Sequence, residues 1–504
     1  MIDQLTALHH RPSWAVIDIG SNSVRLVMYE GPARCPIVVF NEKTLCGLGQ
    51  TDPDTGRLRD EATEEALETL RRFRRILDAV DVASLHVIAT AAVRDAPNGQ
   101  DFLAEVEEIG FSPILLSGEE EAKNAAYGIL SGAPDILDAP EGALAGDIGG
   151  GSLELSHIAD DAPEWIRNKV SLPLGALRLS VQFPDDRAAA RAHIEKEVAR
   201  VPWLSAYQGK ELHVVGGAWR GLARIAILNS EYPIEILDQY ELTRDDVLRI
   251  CGFVATQSIE SLISIPVVQR RRAITLPYAA MVLEIVIKAA NIKKVRVASS
   301  GLREGVLFAQ LPPETRRQDP LIAVADHIAI RFGSLLRPSA DALTSILDDL
   351  FTERMEVVKR WRHAAAILCN FSNGLQPDER AIHSAMTIMG LPLKGIGHPG
   401  RVYLSAALAV RHGASSEDLD DWLPMGILNR RQRKDVVILG LALRLLTTLS
   451  PGGGPALEGT RVEVSRGRLR LVLPKEFRDI WGATPAKRFD RLAAAMGLEG
   501  EVAL

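Results

Sequence analysis

The stretch GALAGDIGGGSLELS, residues 142–156, sets an aspartate and a run of glycines between two apolar segments. Apolar runs flanking a glycine turn read as a buried strand-turn-strand hairpin, and the carboxylate falls at the end of the first strand. The same pattern occurs earlier. WAVIDIGSNSVRLVMYE (14–30) and LAGDIGGGSLELSHIAD (144–160) align without gaps, so Asp18, Gly20, Ser23 and Leu26 match Asp147, Gly149, Ser152 and Leu155. Such a repeat implies an internally duplicated α/β unit, with two similar lobes facing each other across a cleft.

Turns of this composition have a chemical use. Backbone N–H groups left bare by glycine can wrap phosphate oxygens, and a serine hydroxyl adds a donor. An aspartate repels phosphate, but it can hold Mg²⁺ directly or through water, and the metal bridges to the phosphate. Two hairpins of this kind make a phosphate clamp with a metal. Between them, LLSGEEEAKNAAYGIL (115–130) carries three consecutive glutamates. Ser117 and Glu120 fit a capping box at a helix start, which gives Glu120 a structural role. Successive helical residues point about 100° apart, so Glu119 and Glu121 do not both face one neighbour. Either is a candidate general base for a water attacking bound phosphate, and spacing alone leaves the choice open.

The wider composition bounds the protein. The chain has 504 residues, 47% of them apolar, and carries a formal charge of −7 with both signs interspersed. That length suits about three or four domains. The negative balance argues against nucleic acid as a partner and confines any polyanion site to a local patch. Four scattered cysteines without CxxC spacing read as free thiols of a cytoplasmic protein. The first residues, MIDQLTALHHRPSW, lack the basic-then-apolar pattern of a signal peptide, and no apolar run is long enough to span a bilayer. Strand and helix patterns alternate over 1–135 and again over 136–310, a linker-like QLPPETRRQDP follows, and helical periodicity dominates 311–449. SPGGGPALEG (450–459) marks a boundary before a small module, 450–504, in which RVEVSRGRLRLVLP reads as a hairpin.

Six motifs, DIGSNSVRL, ATAAVRDAPNG (89–99), SGEEEA, DIGGGSLEL, SLPLGALRLS (171–180) and SSGLREGVLF (299–308), occur in this order. In this the chain resembles the exopolyphosphatase and guanosine pentaphosphate phosphohydrolase family over about residues 13–310. The resemblance implies actin-like, ribonuclease H-like α/β lobes and hydrolysis of the terminal phosphate of inorganic polyphosphate, with guanosine pentaphosphate as the alternative substrate. It implies that Glu121 is the catalytic base and that Asp147 and Glu154 form the metal site. The phosphate site would draw on Asp18, Ser21, Asn22, Ser23 and Arg25 of the first hairpin, Arg94 of the TAAVR motif, and Gly149, Gly150, Gly151 and Ser152 of the second. Mg²⁺ is the expected cofactor, with another divalent ion or an added monovalent ion as alternatives, and a homodimer is the expected assembly. Arg25 and Glu154 stand at equivalent positions of the two hairpins, so the duplicated turns have diverged in charge.

The helical region resembles the family's metal-dependent HD-like domain. Where related chains carry a histidine-acid pair after RHAAAIL (362–368), this chain has Cys369-Asn370, so no HD metal site is expected. HVVGGAWRGLARI (213–225) is a strand, a Gly-Gly turn and a helix suited to a phosphate, yet it carries Trp219 where small or hydroxyl residues are usual. Two basic clusters, Arg270-Arg271-Arg272 and Arg430-Arg431-Gln432-Arg433-Lys434, are candidates for a track that holds a long polyphosphate outside the cleft. A small-molecule kinase of the same superfold and a non-catalytic nucleotide sensor are the rival readings. The SGEEEA glutamate and the lack of an evident acceptor site argue against the kinase.

Overall fold

The computed structural model describes residues 13–184, 186–332, 337–351, 355–451 and 454–503. Residues 1–12 of the N-terminal stretch read above for a leader, and two glycines of the 450–459 boundary, lie outside them. The chain divides into two compact units, one running to Gln318 and the other from Asp319. The division falls within the linker-like segment.

The first unit holds two sheets. In the first, β1 (Trp14–Ile19), β2 (Val24–Glu30), β3 (Ile37–Thr44), β4 (Ser84–Ala89) and β5 (Pro113–Leu115) lie in the order β3-β2-β1-β4-β5. The β1–β2 and β2–β3 pairs are antiparallel, whereas β4 and β5 run parallel to β1. In the second, β6 (Ala143–Ile148), β7 (Leu153–Ile158), β8 (Ile166–Leu172), β9 (Glu211–Val215), β10 (Glu241–Thr243) and β11 (Lys294–Val297) lie in the order β10-β11-β9-β6-β7-β8. Again the first strand meets a hairpin on one side and a parallel strand on the other. β1 and β6 are nearly continuous apolar runs because helices cover both faces of such central strands. Each carries an aspartate, Asp18 or Asp147, one residue before its last.

Two helices tie the lobes together in exchanged positions. The helix Gly118–Gly132, which follows the first sheet in the chain, packs on β6, β7 and β8 of the second. The helix Leu302–Ala309, which follows the second sheet, sends Val306 and Leu307 into a core with Val16, Val27, Tyr29 and Ile88 of the first. The two helices touch backbone to backbone. A Cβ on Gly128 would lie 2.0 Å from the Gly301 carbonyl oxygen, and one on Gly305 only 1.7 Å from that of Asn124. Only glycine permits this approach, which brings Glu121 and Arg303 to the same cleft.

The second unit begins with the helices Pro320–Arg331, Arg337–Asp348, Glu356–Leu368, Arg380–Gly390, His398–His412 and Arg430–Leu449. A three-stranded sheet of β12 (Arg461–Ser465), β13 (Arg468–Val472) and β14 (Glu499–Ala503) follows, with the expected hairpin turning at Arg466-Gly467, both at positive φ. The helix Ala483–Met496 packs on Arg430–Leu449, so the C-terminal module shares one compact unit with the helices before it. All four cysteines are buried, and no disulfide joins them. Among the described residues no helix is long and apolar enough to cross a membrane.

Candidate active site

The two hairpin turns are built alike. The Gly20 N–H donates to the Ser23 carbonyl at 3.0 Å and the Gly149 N–H to that of Ser152 at 2.9 Å, so each turn spans four residues. Their tips meet: a Cβ on Gly151 would approach the Ser21 Oγ to 2.7 Å. SLPLGALRLS supports the second tip from behind. The helix Ala176–Gln182 spends its first N–H groups on turn carbonyls, Ala176 donating to Gly149 at 3.1 Å and Arg178 to Gly150 at 2.9 Å. Those donors hold the turn's shape rather than a ligand.

Both tips open on a cleft of about 570 Å³. Asp18, Ser21, Asn22, Ser23, Arg25, Glu121, Asp147, Gly149, Gly150, Gly151, Ser152 and Glu154 all line it, as do Arg271 and Arg272. Arg270, in the same short turn, is not among the lining residues. The cluster from Arg430 to Lys434 belongs to the second unit, where the Arg433 Nε donates to the Met425 carbonyl at 2.9 Å.

Glu120 forms the anticipated capping box with Ser117. Glu119 points into solvent, 3.4 Å from Lys169. Glu121 is buried, 6% exposed, in the cleft wall. Arg94 is placed behind it rather than along the cleft lining: its guanidinium pairs with Glu121 and Asp95 and donates to the Leu116 carbonyl at 3.0 Å. Burial pushes the Glu121 carboxyl up to about 7 despite the opposing pull of Arg94, with Asp18 and Asp147 adding to the rise. Burial likewise raises Asp147 to about 6. Glu154, which accepts a 2.8 Å hydrogen bond from Ser171, is raised well above the carboxylate range by burial and by the neighbouring Glu121 and Asp147.

Facing these carboxylates is a wall of cations. Arg25, Lys43, Arg220, Arg271, Arg272 and Arg303 line the same cleft. Burial and the surrounding arginines, Arg272 first, lower the Lys43 ammonium to about 8. Arg303 donates to the Asp18 Oδ2 at 2.7 Å, and its neighbour Glu304 accepts from the Tyr29 hydroxyl at 2.8 Å. Lys43, Arg220 and Arg303 were not singled out from the sequence as site residues. Arg303 lies inside SSGLREGVLF and Arg220 one residue past Trp219, so only their placement in quoted motifs pointed to them. Trp219 itself is core, 1% exposed, with its indole N–H on the Ala279 carbonyl at 3.0 Å. Its bulk leaves the cleft free and lets Arg220 line it.

The donor set suits a hard cation. Asp147 and Glu154 present carboxylate oxygens whose mutual repulsion a divalent ion would relieve. Among the described residues no three His, Cys, Asp or Glu side chains gather into a ready metal cage. Mg²⁺, which keeps several waters and shares itself between one or two carboxylates and substrate phosphates, fits this two-carboxylate arrangement.

Two actin-like lobes, twin glycine-serine turns and opposed acidic and basic walls define a protein that works on phosphates. The chain belongs to the Ppx/GppA phosphatase family, whose model matches residues 17–314, and residues 347–502 match the model of the exopolyphosphatase C-terminal domain. It is similar to exopolyphosphatase 1 of Mycobacterium tuberculosis, 28% identical over 63% of this chain and 93% of that protein. It is also similar to retrograde regulation protein 2 of Saccharomyces cerevisiae, 26% identical over 90% of this chain and 83% of that protein. Among solved structures it resembles an exopolyphosphatase from Cytophaga hutchinsonii, with TM-score 0.53 and 26% identity over 59% of this chain and 96% of that one.

Proposed function

We propose that the protein is an exopolyphosphatase that hydrolyses the terminal phosphoanhydride bond of inorganic polyphosphate with water activated by Glu121. The observation that carries this reading is a buried glutamate, lifted to about 7, in the wall of a cleft otherwise rich in cations. A carboxylate near neutrality is a better proton acceptor than one at its ordinary value. Glu121 takes a proton from water as the water oxygen bonds to the terminal phosphorus. The bridging P–O bond breaks, releasing orthophosphate and a chain one phosphate shorter. Arg94 holds the Glu121 carboxylate in place. The N–H groups and hydroxyls of the two turns bind the terminal phosphate, and Arg25, Lys43, Arg220, Arg271 and Arg272 neutralise the phosphates behind it. Asp147 and Glu154 would hold a hydrated Mg²⁺, whose chemistry is to neutralise charge on the phosphate oxygens.

The yeast regulatory relative matches along nearly the whole chain, which makes a phosphate-sensing protein without turnover the second reading. Phosphate release from purified protein, with long polyphosphate and guanosine pentaphosphate side by side, separates the two. Release from polyphosphate with little from guanosine pentaphosphate is expected. The reverse order makes the protein a pentaphosphate hydrolase, and tight binding with no release from either makes it a sensor.

A further inference from the structure

The second unit carries a group of cations that the cleft chemistry does not use. Arg411 and His412 end the helix His398–His412, Arg444 lies on Arg430–Leu449, Arg488 and Arg491 on Ala483–Met496, and Arg380 starts Arg380–Gly390. These helices pack on one another in sequence, Arg380–Gly390 on His398–His412, that helix on Arg430–Leu449, and Arg430–Leu449 on Ala483–Met496. The contacts draw the side chains together. Arg488 donates to the Arg444 carbonyl at 3.1 Å, and the Arg444 guanidinium covers Gly413, its Nη1 lying 3.3 Å from where a Cβ would stand. Arg411 donates to the Asn370 Oδ1 at 2.9 Å, beside Cys369, so an arginine reaches the place where a histidine-acid pair was expected to be missing.

Among the described residues no carboxylate lies within ion-pair distance of any of these six side chains. Two of their nitrogens, Arg411 Nε and His412 Nε2, are shut off from solvent with no hydrogen-bond partner. Gathering like charges in a half-buried place is costly unless an anion joins them. The effect on His412 is large. Burial, Arg411, Arg380 and Arg444 together push its imidazole down to about 3, although a helix C-terminus ordinarily favours the protonated form. Arg411 and Arg444 are themselves lowered, by burial and then mainly by one another's neighbours, Arg488 among them.

We infer that Arg411, His412, Arg444 and Arg488 form a second anion site, built within the second unit, which takes a compact phosphate group carrying two or more negative charges. Guanidinium groups from three packed helices offer paired N–H donors that match phosphate oxygens. The ligand class follows from this geometry. It is a pyrophosphate-like group, free, at the end of a polyphosphate, or on a nucleotide. The inference does not rest on hydrolysis in the cleft, since a non-catalytic protein could hold the same anion.

The test uses the full chain and reads His412 directly. Histidine resonances are followed through a pH titration with and without pyrophosphate, and binding is measured by calorimetry for wild type and an Arg444→Met, Arg488→Met double variant. Pyrophosphate is expected to raise the His412 pKa from about 3 towards the ordinary histidine range. The double variant should weaken that binding class by about tenfold or more while short-chain phosphate release stays near wild type. Losing like-charge repulsion, it should also melt at or above the wild-type temperature without ligand; an Arg444→Lys variant, which keeps the charge, is the folding control. Parallel titrations with ATP and with long polyphosphate assign the source, the one whose affinity falls most in the double variant being the ligand held there. A His412 pKa unmoved by all three, or binding identical in wild type and the double variant, overturns the inference.

Discussion

Asp147 lies directly opposite Glu154 in the β6–β7 register, at the place where the β1–β2 hairpin sets Asp18 opposite Arg25. One copy of the duplicated turn pairs unlike charges and the other pairs like charges. Like charges directly across a strand pair destabilise it, by about 1 kcal/mol or less. Replacing Glu154 by Gln should therefore raise the Tm of the metal-free protein and abolish the further rise that the proposed Mg²⁺ site should give to wild type. Thermal melts in chelator and in Mg²⁺ check both halves.

The same raised carboxyls set a pH dependence. Glu121 and Asp147 titrate near 7 and 6 when folded, above their ordinary values of 4.5 and 3.8. Between those limits the folded state binds more protons than the unfolded one, so stability falls as pH rises. The metal-free protein should lose Tm from about pH 5 to about pH 7. A Glu121→Gln, Asp147→Asn double variant should show a flatter slope across that window.

Glu121→Gln should lower phosphate release by about 10²–10⁴-fold while leaving polyphosphate binding nearly intact, because the amide keeps the shape and loses the base. Glu119 reaches only Lys169 and solvent, so Glu119→Gln should stay within about twofold of wild type. Steady-state kinetics with a parallel binding titration distinguish the two residues.

Lys43 should set an alkaline limb to the activity. Its ammonium, lowered to about 8, loses its charge in mildly basic solution, so kcat/KM for polyphosphate should fall above that pH. Lys43→Arg keeps the charge and should carry activity to higher pH. A profile of kcat/KM between pH 7 and pH 10 for both proteins reads the difference, with the unmoved limb in Lys43→Arg assigning it to another group.

Arg303 and Arg220 share the cleft but should fail differently. Arg303→Met strands a partly buried Asp18 and the adjacent Glu304, at about 3–5 kcal/mol of stability. Among the described residues Arg220 makes no ion pair with a carboxylate, and it donates a 3.4 Å hydrogen bond to the Gly216 carbonyl. Arg220→Met should fold normally and raise KM for polyphosphate by about tenfold. Denaturant melts and kinetics on the two variants separate a structural ion pair from a substrate contact.

Much of this molecule is written in local pattern. The repeated D-I-G-x-x-S-x-x-L turn, the S-x-x-E cap and the alternation of strand and helix depend on residues close in the chain, so the duplicated α/β architecture and the two turns were legible without coordinates. The choice between Glu119 and Glu121 as the residue facing the cleft was not. It depends on which face of the helix Gly118–Gly132 meets the second sheet, and that follows from the backbone contact of Gly128 with Gly301. The motif of Arg94 suggests a phosphate contact but not its pairing with Glu121, because the two converge from the helix Ala91–Asp95 after β4 and the helix after β5. The cationic wall draws Lys43, Arg220, Arg272 and Arg303 from separate strands, turns and helices, and Arg411, Arg444 and Arg488 meet only where helices cross. Charges so distant along the chain interact through space, and only the tertiary structure decides which of them share one environment.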